Sequence, residues 1–265
     1  MPQAIPLVIT TTHNDPALIS RRDWFMHQPG CEWVEGSSRN TKIPTLIISR
    51  KGVCIETEAQ RLSFHPSMAL LRLMNIFRDN PDRFLEATGL KAGDVMLDAT
   101  LGLATDALVA AWAVGPGGRV IGVEKSPVLA AVVRDGLLHF PDMIPHGAVD
   151  KQKVWQALAE AAGRIDVVWS DHLDFLRRQP ADSADVVFFD PMFRHTRPQS
   201  ASIQPLHFWS DPRSIDPSVI HEATRAARHR IVLKERKGSK EFTRLGFQIC
   251  AGGRYSSVDY GVIPV

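Results

Sequence analysis

Asp94-Val95-Met96-Leu97-Asp98-Ala99-Thr100-Leu101-Gly102-Leu103-Ala104-Thr105-Asp106 is the stretch on which the fold turns. Val95-Met96-Leu97-Asp98 is a short apolar run that ends on a carboxylate, and residues 105–114 after it are rich in alanine and valine and lack proline. The short run predicts a buried strand and the longer one a helix. Gly102 lies between them, and a glycine there lets the backbone approach a ligand closely. A helix that opens directly after such a loop points free amides and the positive end of its dipole at the ligand's polar end. The predicted unit is therefore strand, glycine loop, helix, with a binding position at the loop.

The pattern repeats downstream. Arg119-Val120-Ile121-Gly122-Val123-Glu124 reads as a second strand, followed by a helix over about 126–139. Ile165-Asp166-Val167-Val168-Trp169 is a third strand, Ala184-Asp185-Val186-Val187-Phe188-Phe189 a fourth and Arg230-Ile231-Val232-Leu233-Lys234 a fifth. Strands that alternate with helical stretches predict βαβ units and a parallel sheet, and their apolar centres suit a sheet covered on both faces. The tail departs from this rhythm. Residues 247–250 and 257–263 read as two strands with Gly252-Gly253 between them and no helix, which predicts an antiparallel hairpin. A dinucleotide-binding domain would continue with another strand–helix unit instead.

Upstream, residues 5–12 are apolar and β-branched like a strand, and Trp24-Phe25 fall in a possible helix. Residues 45–49 and 53–56 read as strands joined by a turn at Gly52. This predicts a small α/β extension over residues 1–60, with the main domain spanning 61–265 and the boundary near 57–64. Helices are expected from Ser67 into residue 78, behind Pro66, and over about 81–87. His65 either overlooks the cleft or is a satisfied structural histidine, and the second is the expectation.

The chain has 265 residues, a net charge of +2, 44% hydrophobic and 23% charged residues, enough for one large core without staples. That net charge does not by itself argue for nucleic acid. The three cysteines, Cys31, Cys54 and Cys250, form no close pair and suggest buried free thiols, with neither a disulfide framework nor a metal site. The N-terminus lacks the basic and apolar regions of a signal peptide, and no apolar run approaches the ~20 residues of a membrane helix. A cytoplasmic protein is expected.

Three acidic positions sit at predicted strand ends. Glu124 ends the second strand about twenty residues after Gly102, where a carboxylate can accept both hydroxyls of a ribose. Asp171-His172 follow the third strand, where Asp171 can accept from an adenine amino group or cap the next helix. Asp190-Pro191-Met192-Phe193 follow the fourth, at the carboxyl edge where open α/β sheets bind ligands. This tetrad resembles the Asp/Asn-Pro-Pro-Tyr/Phe motif of amino-group methyltransferases. The residue types suit that chemistry. An exocyclic amine on a base is a poor nucleophile, because its lone pair is delocalised into the ring. Hydrogen bonds from the amine to the Asp190 carboxylate and the Pro191 carbonyl would aim that lone pair, and Phe193 would stack on the base.

Five parallel strands closed by an antiparallel hairpin resemble the class I methyltransferases, whose sheet is Rossmann-like and seven-stranded. Leu97 to Asp106, Glu124-Lys125-Ser126-Pro127-Val128, Asp135-Gly136-Leu137 and the tetrad are similar to the ribosomal small-subunit RNA guanine-N2 methyltransferase J family. The resemblance covers residues 94–193 well and the tail loosely. It implies S-adenosylmethionine as cofactor, held by Thr105, Asp106, Glu124, Lys125, Asp171, His172 and Asp190; Asp98 and Gly102 of the loop are expected beside them, and Asp190, Pro191 and Phe193 are the catalytic candidates. It also implies ribosomal RNA as partner, with guanine N2 as acceptor. The family's Gly-Leu-Gly-Arg-Asp is here Gly102-Leu103-Ala104-Thr105-Asp106, and its residues after the tetrad are here Arg194-His195-Thr196-Arg197. The basic run from Arg225 to Arg244, with Arg194 and Arg197, is a candidate phosphate-binding surface or a solvated face. Other readings are methylation of a small molecule or a protein, and a module that binds cofactor or RNA without turnover.

Overall fold

The computed structural model describes residues 7–36, 43–58, 60–143, 148–191, 209, 213–250 and 256–265. Two sheets organise them. The first has the strand order β2-β1-β3-β4-β5, from β1 (Leu7–Thr11), β2 (Trp33–Glu35), β3 (Thr45–Ser49), β4 (Gly52–Glu56) and β5 (Arg61–Leu62). Helix α1 (Pro16–Met26) links β1 to β2, which pair in parallel. Asp15 caps it by accepting from Ala17 N, and Pro16 suits its first turn. β3 and β4 form the expected hairpin. The parallel pairing of β1 with β2 was not foreseen, because three residues of strand carry almost no period.

The second sheet has the order β11-β12-β10-β9-β6-β7-β8, from β6 (Val95–Asp98), β7 (Arg119–Glu124), β8 (Ile165–Trp169), β9 (Ala184–Phe189), β10 (Ala227–Arg236), β11 (Gln248–Cys250) and β12 (Val258–Pro264). β8, β7, β6, β9 and β10 run parallel, while β12 is antiparallel to both β10 and β11. The predicted seven-stranded α/β sheet is present. From β6 the chain winds one way to β7 and β8, and from β9 the other way to β10. The switch point therefore lies between β6 and β9, where open sheets of this kind leave a crevice at their carboxyl edge.

Helices α2 (Ser67–Ile76), α3 (Arg83–Thr88), α4 (Thr105–Val114), α5 (Pro127–Leu138), α6 (Val149–Ala162), α7 (His172–Arg178), α8 (Pro217–Ala226) and α9 (Glu241–Leu245) cover the faces. Strand alternation splits the core. Met96, Val186, Phe188 and Val232 pack with α4 and α6 on one side, and Leu97, Val187, Phe189 and Leu233 with α8 and α9 on the other. Burying each such side chain stabilises the fold by roughly 1.5–3 kcal/mol. α6 and α8 fall where no element was predicted. In α6 the buried residues are Val154, Leu158, Ala161 and Ala162, a helical spacing diluted by small and charged neighbours.

The first sheet shares a core with one face of the second. Phe64 seats on Gly136 of α5 and meets Phe140 edge-on at 6.2 Å. Arg21 of α1 forks onto Asp135, both bonds 2.6 Å, and Asp135 is 2% exposed. Arg134 donates to the carbonyl of Val167 and to Gln28. Among the described residues no helix is long and apolar enough to cross a membrane. Of the three thiols, Cys54 is buried, Cys31 half-buried and Cys250 exposed, so burial holds for only part of that expectation.

A Cβ added at Gly136 would lie 2.2 Å from Phe64 Cγ and 2.6 Å from its Cβ, atoms at the root of the ring that cannot swing aside. Gly136→Ala should therefore lower stability by about 1–3 kcal/mol in urea unfolding, despite alanine's better helix propensity. An unchanged or raised midpoint would show that Phe64 does not depend on this seat.

Candidate cofactor and acceptor site

β6 delivers Asp98 to the switch point, and the loop after it is held from three sides. Asp98 Oδ1 accepts from Thr100 N at 3.1 Å. Gly102 N donates to Glu124 Oε2 at 3.0 Å, and Ser126 N to Glu124 Oε1 at 2.8 Å. Leu101 lies over Gly122 of β7, where an added Cβ would be 2.5 Å from its Cδ1. Glu124 is 7% exposed, so it is a clamp between the loop and the strand end rather than a solvated carboxylate. Ala104 keeps left-handed backbone, φ 60°, where the similar family has glycine, a conformation costing an alanine roughly 1–2 kcal/mol.

The loop fits an approaching ligand. At Gly102, φ 53°, an added Cβ would meet nothing closer than Thr100 O at 4.0 Å, so the space beside this backbone is open. The helix α4 N-terminus follows at Thr105, which is half-buried. Glu124, which accepts from Gly102 N, stands beside the same opening.

Across the switch point the backbone amide of Asp190 donates to Thr100 Oγ1 at 2.6 Å. This hydrogen bond ties the residue after β9 directly to the glycine loop after β6. Register explains the neighbour on the other side. Leu233 pairs with Phe189, so Lys234 comes level with Asp190, and strand alternation puts both on the α4 side. Lys234 Nζ bridges Asp190 Oδ2 at 2.7 Å and Asp106 Oδ2 at 2.9 Å. Asp106 Oδ1 in turn takes Arg72 of α2 at 2.6 Å, and Arg72 forks onto Asp82, the cap of α3, with both bonds 2.8 Å.

Charge state follows from these contacts. Burial, and then Asp106, push the Asp98 carboxyl well above its ordinary 3.8, which favours its protonated form. Burial opposes the charge on Asp106, but Lys234 and Arg72 outweigh it and hold Asp106 at about 2. Burial raises Asp190 to about 6, with Asp106 adding to the rise and Lys234 opposing it. Lys234 is held above the usual lysine value, because its two carboxylate partners more than offset burial. Of the three carboxylates Asp190 is the most open, 27% exposed against 6% for Asp106 and 2% for Asp98.

The remaining site residues form a second group. Asp171 caps α7 through Leu173 N at 2.9 Å, and its Oδ2 meets Arg213 at 2.8 Å and Lys125 at 3.3 Å. The capping role is real, and two cations share its other oxygen. His172 meets Phe189 edge-on at 6.3 Å. Pro191 lines a small cleft on the far side of the sheet, with Arg213, Ile215, Leu233, Glu235 and Leu245. Phe193, Arg194, His195 and Arg197 lie outside the described residues. His65 is exposed and not a buried structural histidine.

The basic run from Arg225 to Arg244 does not form one face. Arg225 binds Glu222 and two carbonyls, Arg228 binds Asp185, Arg230 the carbonyl of Ala87, and Arg244 binds Glu241 and a carbonyl. Lys234, counted among these charges, points into the site. Arg72, Lys234 and Thr100 were missed as site residues, although an arginine inside Leu70-Leu71-Arg72-Leu73 and a lysine ending Ile231-Val232-Leu233 each signal a buried partner.

Residues 72–251 match a family model described as "Putative SAM-dependent methyltransferase". The chain belongs to this family of S-adenosylmethionine-dependent methyltransferases. S-adenosylmethionine is its cofactor. The chain is 31% identical over 243 residues to an uncharacterized protein, YpiP, of Bacillus subtilis, covering 90% of each. It is 39% identical over 118 residues to ribosomal RNA small subunit methyltransferase J of Laribacter hongkongensis, a match that takes in 44% of this chain and 37% of that protein. A relative of the same name from Pseudomonas aeruginosa is 30% identical over 155 residues, 56% of this chain and 53% of its own length. A SAM-dependent methyltransferase of known structure from Neisseria gonorrhoeae superposes with a TM-score of 0.63 at 16% identity, over 98% of this chain and 95% of that one. That likeness fixes the fold: a Rossmann-like methyltransferase sheet.

Asp98 offers a test of the site's electrostatics. Its folded pKa lies above the unfolded value, so its protonated form favours the fold, fully below about pH 4, and that contribution is lost as pH rises. Asn mimics the neutral acid. Asp98→Asn should therefore gain stability relative to the wild type between pH 4 and pH 8 in paired urea titrations. A difference that stays constant with pH would mean that Asp98 is ionised in the fold.

Proposed function

We propose that this methyltransferase acts on the exocyclic amine of a guanine in ribosomal RNA. The observation that carries the reading is the hydrogen bond from Asp190 N to Thr100 Oγ1, which sets the Asp190-Pro191 motif against the glycine loop. A donor held at the loop and an amine held at Asp190 would be neighbours, and positioning supplies most of the rate of a direct displacement. The relatives named ribosomal RNA small subunit methyltransferase J support RNA as the partner, although the chain spans only about half or less of their length in those matches.

Gly102, Thr105, Asp106 and Asp98 would line the cofactor's place, with Glu124 on its ribose and Lys125, Asp171 and His172 around its adenine. The chemistry that S-adenosylmethionine would supply is an electrophilic methyl on a sulfonium, whose sulfur–methyl bond breaks to leave a neutral thioether. Asp190 accepts a hydrogen bond from the acceptor amine and, with the Pro191 carbonyl, turns its lone pair toward that methyl. Phe193 stacks on the base, which must leave its helix to reach the cleft. Once the nitrogen gains its fourth bond, its proton passes to Asp190 or to water.

Incubation with methyl-labelled S-adenosylmethionine and small ribosomal subunits, followed by nucleoside analysis, should yield labelled N2-methylguanosine. Asp190→Ala should cut kcat/KM by about 10²–10⁴ while the fold survives. The charged Asp190 is the stronger acceptor and the form that can take the amine's proton, and its pKa is pushed up to about 6, so transfer should fall as pH drops through that value. Near-normal turnover by the alanine variant, or label in another nucleoside, would overturn the assignment.

A further inference from the structure

We propose that Lys234 is a positioning residue for methyl transfer: by bridging Asp106 and Asp190 it holds the Asp190 carboxylate charged and aimed at the acceptor amine. This rests on the reading that Asp190 receives that amine.

The geometry is a chain of alternating charge, Asp82, Arg72, Asp106, Lys234 and Asp190, supplied by α2, α4, β10 and the residues bordering α3 and β9. Its links are 2.8, 2.6, 2.9 and 2.7 Å. One end is anchored, because Asp82 also caps α3 through Leu85 N at 3.1 Å. The other end is Asp190, the most exposed member. Support therefore runs from the packed helices toward the open edge. Every contact along it is charge-assisted, the shorter and stronger class of hydrogen bond.

The groups acting on Asp190 are Lys234 from β10, Asp106 from α4 and Asp98 from β6, with Tyr260 of β12 beside them and Arg72 behind Asp106. Burial, then Asp106, raise the Tyr260 phenol, which stays neutral, and burial, then Asp106, likewise push Asp98 toward its protonated form. Asp106 and Asp190 are thus balanced by Lys234 and by an arginine already forked onto Asp82. Without the lysine, Asp190 would face another carboxylate with no cation of its own. It would take up a proton and become a weaker acceptor for the amine's hydrogen, with no charge left to draw the developing positive nitrogen.

A merely structural ion pair would cost stability on removal but would leave the pH dependence of transfer where it was. Lys234→Met should lower kcat by about tenfold or more at pH 7 with little change in KM for RNA, and should move the inflection near pH 6 upward by about one unit or more. Lys234→Arg, which keeps the charge, should restore most of the rate and the original inflection. Asp106→Asn should move the inflection downward, since the lysine would then serve Asp190 alone; this variant decides the matter if Lys234→Met does not fold. Titration of the Asp190 carboxyl carbon by 13C NMR gives the same readout without turnover. A wild-type protein that methylates no RNA would overturn the proposed function, while this titration would still decide the role of Lys234. An Asp190 inflection that stays in place in both Lys234→Met and Asp106→Asn, or in Asp106→Asn alone if the methionine variant is unfolded, would overturn the inference.

Discussion

Three aspartates converge at the carboxyl edge of the second sheet, and their mutual repulsion is the constraint around which the site is built. Asp98 arrives on β6, Asp190 after β9 and Asp106 on α4, all on the same face. In a poorly solvated edge they cannot all ionise without cations of their own. The molecule resolves this in two ways. Burial pushes Asp98 toward its protonated form, and Asp106 and Asp190 share Lys234 while Arg72 reinforces Asp106. The outcome is a graded set, with the acid pushed furthest toward its neutral form deepest and Asp190 nearest solvent.

That arrangement depends on the sheet's topology. Lys234 meets Asp190 because β10 pairs with β9 in a register that sets Leu233 against Phe189. A one-residue slip would turn the lysine into the apolar layer with α8 and α9. Antiparallel β12 then fixes the far side of β10, pairing Tyr260 with Lys234. The terminal hairpin thus finishes the sheet and also walls the site. The N-terminal sheet contributes through packing: it is joined to α5 by Phe64 on Gly136 and by Arg21 on Asp135, so the helix after the Glu124 clamp is braced from outside.

Sequence patterning alone determined the strand inventory of the main sheet. Val95–Asp98, Arg119–Glu124, Ile165–Trp169 and Ala184–Phe189 appear with the bounds their apolar runs suggest, since strands covered on both faces are near-continuously apolar; the edge strand Ile165–Trp169 alone of the four carries an exposed charge in its interior, Asp166. It also determined the glycine loop, the acidic strand end at Glu124 and the place of Asp190-Pro191 at the sheet's edge. Helices α6 and α8 were less legible, because alanine and charged residues blur their buried stripe.

What only the tertiary structure decided is how charges distant in sequence cancel one another. Arg72, Asp106, Asp190 and Lys234 lie on four different elements, and no local period links them. The basic run from Arg225 to Arg244 shows the same limit, for its side chains point to different faces and most find acidic or carbonyl partners nearby. The apolar period is a local property of the chain, written into neighbouring residues. The partner of a buried charge is set by strand register and helix packing, which exist only once the chain has folded.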